Sequence, residues 1–282
     1  IVRQAQVDQT DTSTKMAWEV MPDHIKFIQD QIAKGNFDAA AQISEVIING
    51  EALLAGLEHM ERFQDAGNQA AAAEIRNNVS QSPGGELILS AYTARTTAPE
   101  NWYVVKSYID AGRIHLRAAR EQQRYIDEED ISMQELNDMQ HNVFPAVDDI
   151  ATLYWNYVLA LFRSGNSKGA EDALVELLRN YPSGRIWTHD ESASADDEYA
   201  LPEDAYTFTA QEEERSETFE KLPGLEPVYD RAQARVKGLP QRFEVEIKEP
   251  VVRPAGRIRS FEEVPEDQRL ENVLRGVRLW RS

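Results

Sequence analysis

Seven apolar residues, Ile150, Leu153, Tyr154, Tyr157, Val158, Leu161 and Phe162, recur at i, i+3, i+4, i+7, i+8, i+11 and i+12. That spacing lays one broad apolar stripe along a helix. Asp148 and Asp149 fall at its start, where carboxylates favour the positive end of the helix dipole. Gly165-Asn166 then interrupts the pattern, because glycine accepts the left-handed turn that ends helices. A second stripe of Ala170, Ala173, Leu174, Leu177, Leu178 and Tyr181 follows, and Pro182 stops it. The segment predicts an antiparallel helical hairpin.

The same grammar recurs upstream. Gly35-Asn36 follows the apolar run Ile25, Phe27, Ile28, Ile32 and precedes Ala40; Gly67-Asn68 follows Leu57, Met60, Phe63 and precedes Ala72. These two turns are 32 residues apart. Gly112, between Trp102, Val105, Ile109 and Leu116, Ala118, Ala119, predicts a third turn, with extra helices over Leu87–Arg95 and Ile131–His141.

Beyond Pro182 the character changes. Four prolines precede residue 182 and eight lie from Pro182 onward, breaking the C-terminal part into short runs. The expected organisation is an extended N-terminal segment over 1–20, helical hairpins over 21–182, and an extended, mostly irregular region over 183–282. Within that last region Phe243, Val245 and Ile247 alternate with charged residues at the period of a half-buried strand, with Val251–Ile258 available to pair. Near the end Leu270, Val273, Leu274, Val277 and Trp280 share one helical face flanked by Arg269, Arg275, Arg278 and Arg281. A short terminal helix is predicted there. With so few periodic elements, this region is expected to order by lying on the helical body or on partner subunits.

Gly165, Ala170 and Pro182 fall at spacings that resemble the tetratricopeptide repeat, whose period is 34 residues. Gly35 with Ala40, Gly67 with Ala72, and Gly112 extend the likeness over about residues 20–182. Val158 departs from it, since the family usually carries a small residue there. The resemblance implies an all-α fold, an α-solenoid of stacked hairpins with a concave binding surface and no chemistry of its own. It also implies partners that are proteins. The family's carboxylate-gripping Lys and Asn are replaced by Ile25 and Gln29, so that grip is not expected here.

Charge and composition narrow the choice of partner. The 282 residues hold 30 Lys+Arg against 49 Asp+Glu, a net charge of −19, with 41% hydrophobic residues. A chain of this make-up folds, and its acidity disfavours nucleic acids and anionic membranes as ligands. Charge is also segregated: residues 186–230 carry 14 acidic and 2 basic side chains, residues 231–282 carry 12 basic and 8 acidic. The acidic stretch reads as a solvated loop, as a docking strip for a basic partner or as a cation site, although no calcium-loop spacing is present.

Cysteine is absent, which removes disulfides, thiol nucleophiles and Cys-type metal centres. The five histidines, His24, His59, His115, His141 and His189, form no metalloprotease or Ser/His/Asp signature. No cofactor, metal or catalytic residue is therefore expected. The leading expectation is a non-catalytic scaffold or subunit of a larger complex, associated with a bacterial envelope, with the periplasm or cell surface favoured. Its partner contacts are placed on Phe243, Val245, Ile247, Leu270, Val273, Leu274, Val277, Arg278, Trp280 and Arg281. The alternative is a solute- or glycan-binding protein that uses Trp102, Tyr103, Trp155 and Trp187. Exposed rings would favour it, and buried rings would favour the scaffold.

Overall fold

The computed structural model describes residues 19–129, 146–187, 206–207 and 222–239. Eight helices account for 81% of these residues, and the protein is all-α. They are α1 (Met21–Ala33), α2 (Phe37–Asp65), α3 (Gln69–Ser80), α4 (Gly85–Thr93), α5 (Pro99–Glu129), α6 (Ala146–Arg163), α7 (Ser167–Asn180) and α8 (Glu226–Lys237). One two-residue ladder pairs β1 (Arg185–Ile186) antiparallel with β2 (Tyr206–Thr207).

Three of the helix breaks share one hydrogen-bonding scheme. At Gly35, Gly67 and Gly165 the backbone turns left-handed, with φ of 78°, 77° and 86°. The glycine N–H donates to the third carbonyl before it, and the next N–H, from Asn36, Asn68 or Asn166, reaches the fifth before it. This double closure satisfies the last carbonyls of the helix in two residues. The asparagine then opens the following helix: Asn68 accepts from Ala71 N and Asn166 from Gly169 N. Five positions past each glycine, Ala40, Ala72 and Ala170 are buried between helices.

The helices between those turns differ from the expected hairpins in two places. The run Leu57, Met60, Phe63 is the far half of α2, one unbroken helix of 29 residues, so the turns at Gly35 and Gly67 share a single helix. Gly112 is no turn at all. It lies inside the 31-residue α5, where a Cβ would sit 2.0 Å from the Ile47 carbonyl oxygen. The glycine is there for close backbone approach of α5 to α2, and a helix tolerates it because packing outweighs the propensity cost of about 1 kcal/mol.

α2 and α5 run through two apolar cores. One gathers α3, α4, the second half of α2 and the start of α5 around Leu57, Ile75, Ile88 and Ile109. The other gathers α1, α6, α7, α8 and β1 around Ile25, Ile150, Leu174 and Ile186. Helix α6 is the centre of the second core. It touches α1, α2, α5, α7 and β1 and is buried on nearly every side, which is why its N-terminal acids are buried along with its stripe.

The packed body also runs past the boundary expected near Ser183. Ile186 and Trp187 belong to the second core, and so do Val228, Tyr229 and Ala232 of α8, a helix that lies against α7 in a region read as irregular. Pro227 in its first turn and Gly238 at its end delimit it. The expected helix over Leu87–Arg95 corresponds to α4, whereas Ile131–His141 lies outside the described residues.

Candidate functional site

The partner-contact residues expected from the sequence, Phe243, Val245, Ile247, Leu270, Val273, Leu274, Val277, Arg278, Trp280 and Arg281, all lie outside the described residues. Of the aromatics proposed to frame a ligand, Trp155 and Trp187 are 5% and 8% exposed and belong to the second core. Trp102 is half-buried, edge-on to Tyr92 with ring centroids 5.3 Å apart. Tyr103 alone faces outward, at 70% exposure. The four rings do not converge.

What the fold does bring together is a polar junction where α5, the start of α6 and β1 meet. Asp148 accepts three hydrogen bonds from Arg185: 2.7 Å from the backbone N, 3.1 Å from Nε and 2.9 Å from Nη2. Burial pushes the Asp148 carboxyl up to about 6, with the Arg185 guanidinium and backbone N–H opposing it. Next to it, His115 Nε2 lies 3.3 Å from Asp149 Oδ2, and both side chains are almost wholly enclosed. Burial raises the Asp149 carboxyl, opposed by His115 and by the Trp187 side chain.

The His115 ring approaches the Ala111 carbonyl at 3.1 Å through Nδ1. That carbonyl can only accept, so Nδ1 carries a hydrogen. The His115–Asp149 pair resembles a catalytic dyad in composition, but with exposures of 1% and 3% no substrate atom reaches it. The pair sets an imidazole against a carboxylate enclosed on a helix that the core surrounds.

The remaining bonds of the junction tie β1 down. Trp187 N donates to Thr152 Oγ1 at 3.1 Å, Gln29 Nε2 donates to Trp187 O at 3.0 Å, and Gln123 holds Ser183 through both its amide atoms. Sequence reasoning missed this cluster because Asp148 and Asp149 had a sufficient local explanation as dipole partners. The available signal was two adjacent acids at the head of a helix whose apolar stripe is unusually broad.

Further polar contacts join helices across the body. Tyr157 OH donates to Glu45 at 3.0 Å, and burial raises the Glu45 carboxyl. His24 Nε2 meets Ser107 Oγ at 3.0 Å beside the Tyr108 ring, and burial lowers the imidazole to about 4, so it stays neutral near pH 7. Among the described residues no group of three or more His, Asp or Glu could hold a metal ion. No helix of those residues is long and apolar enough to cross a membrane. Comparisons with family models, with curated proteins and with solved structures yield no match for this chain.

Proposed function

We propose that the protein is a non-catalytic scaffold, a subunit of a larger assembly, whose tetratricopeptide-like hairpins and C-terminal residues hold other proteins. The observation that carries this reading is the placement of its reactive and sticky groups. Among the described residues, Asp148, Asp149 and His115, which cluster as a set that could support acid–base chemistry, are sealed in the core. Among the described residues, the large apolar side chains left outside, Phe27, Tyr103, Val104, Tyr125 and Leu239, sit mainly on α1 and α5. Exposed aromatic side chains on a rigid helix are the material of protein interfaces. The glycan-binding alternative draws no support from Trp155 and Trp187, whose faces are covered by the core.

The test is the mass of the native protein, by light scattering after gentle extraction and size separation. A defined assembly larger than the 282-residue chain, with other polypeptides in fixed ratio, is the expected result. A monomer throughout, binding neutral oligosaccharides, would overturn the reading.

A further inference from the structure

The start of α5 carries an apolar spot. Tyr103 at 70% and Val104 at 55% are the most exposed large apolar side chains among the described residues. Their place beside α1 follows from helix directions. The turn at Gly35 reverses the chain between α1 and α2, and α2 meets α5 with Ile47 against Gly112 and Gly50 against Ile109, so α2 advances as α5 recedes. Helices α1 and α5 therefore run the same way. His24 of α1 faces α5, with Nε2 3.0 Å from Ser107 Oγ and its ring 4.4 Å from that of Tyr108. One turn back, about 5.4 Å along both helices, Val20 comes opposite Tyr103 and Val104; its carbonyl accepts from His24 N.

The polypeptide reaches Val20 through Met16, Ala17 and Trp18, which lie outside the described residues. Pro22 has no N–H to offer the Trp18 carbonyl, so the α1 ladder starts here. Two residues span no more than about 7 Å, which keeps the Trp18 backbone near the spot at little cost in loop closure. An indole buries about 150–250 Å², enough to cover a valine and one face of a tyrosine ring. Other segments of the chain start further away. The acidic stretch leaves from Trp187, whose carbonyl is held by Gln29, and at about 100° per residue Gln29 lies about 140° around α1 from His24, on the opposite flank. Leu270 to Trp280 follow α8, which packs on α7, and are separated from it by residues 240–269.

We infer that the spot is a docking site for the chain's own residues 16–18, with Trp18 laid over Tyr103 and Val104 and the N-terminal segment thereby tied to the start of α5. The inference stands apart from the scaffold reading and narrows it: Tyr103 and Val104 are withdrawn from the surface offered to partners, and Phe27, Tyr125 and Leu239 remain.

The absence of cysteine gives a clean test. Val104→Cys in the full chain is alkylated with a maleimide, and its rate is compared with that of Ala52→Cys, an exposed site on α2. The thiol at position 104 is expected to react about tenfold more slowly. Adding Trp18→Ala should raise that rate about tenfold and leave the position 52 rate unchanged, whereas Trp18→Phe should keep it slow. Equal rates at the two sites, or a position 104 rate that Trp18→Ala does not change, would overturn the inference. So would protection lost on Trp280→Ala in place of Trp18→Ala, which assigns the spot to the C-terminal residues, or protection lost on dilution, which assigns it to a second copy. If Trp18→Ala speeds both sites by loosening the fold, photo-cross-linking from benzoylphenylalanine placed at position 18 decides: adducts on residues 99–108 support the inference, and adducts only elsewhere contradict it.

Discussion

Replacing Gly112 by alanine would place a methyl carbon 2.0 Å from the Ile47 carbonyl oxygen, a backbone atom that cannot rotate away. Helices α2 and α5 would have to separate, at an expected cost of at least about 3 kcal/mol. Gly165 is a different case. Nothing lies within 4 Å of its missing Cβ, and only its φ of 86° favours glycine, so Gly165→Ala should cost about 1 kcal/mol. Denaturant unfolding of the two variants compares them, and equal costs would mean that the α2–α5 crossing is looser than described. The three turn glycines and the alanines behind them were legible because they answer local needs. Gly112 was misread as a turn because only the neighbouring helix shows why it is small.

His24 gives a signed pH dependence at the same scale. Its folded pKa of about 4 is below the ordinary imidazole value of 6.5, so the unfolded chain takes up the proton first. The stability it confers is complete above pH 6.5, falls as the pH drops towards 4 and is then fully lost, at most about 3 kcal/mol. In His24→Gln, stability should therefore decline less between pH 7 and 4.5 than in the parent. Parallel declines in a pH series of melts would show that the imidazole is not shielded as described.

At the scale of elements, β1 is fastened by Arg185 to the head of α6. Arg185→Ala leaves the Asp148 carboxylate enclosed without its guanidinium, an expected loss of about 3 kcal/mol at pH 7.5. The sign follows from a folded pKa already raised to about 6 against the ordinary carboxylate value of 3.8: the folded state binds the proton first, so the penalty shrinks as pH falls from 7.5 to 5. Unfolding curves at the two pH values check this, and a penalty that grows on acidification would contradict it. Helix α8 is held differently. Arg235 reaches Glu171 and Asp172 at 2.8 and 2.7 Å on the surface, while Val228, Tyr229 and Ala232 are buried against the body. Arg235→Ala should thus change stability by less than about 1 kcal/mol, and Tyr229→Ala by about 3 kcal/mol. This helix was not legible because its three buried residues form too short a stripe to signal a helix among prolines.

For the whole molecule, a net charge of −19 disfavours compaction by self-repulsion, and the pairs that salt would weaken are mostly exposed. Raising sodium chloride from 0.05 to 0.5 M at pH 7.5 should raise the melting temperature by a few degrees. A fall would mean that surface pairs outweigh the repulsion.

The sequence by itself determined the helical class, the three glycine turns, the hairpin of α6 and α7 and the segregation of charge. Each of these is set by neighbours within a few positions along the chain, where periodicity and turn chemistry act. Only the tertiary structure decided that α2 and α5 are unbroken, that α6 is enclosed on nearly every side, and that Asp148 and Asp149 are core residues matched by Arg185 and His115. Those outcomes depend on which backbone comes close to Gly112 and which cation reaches a carboxylate 37 residues away, and no local pattern encodes either.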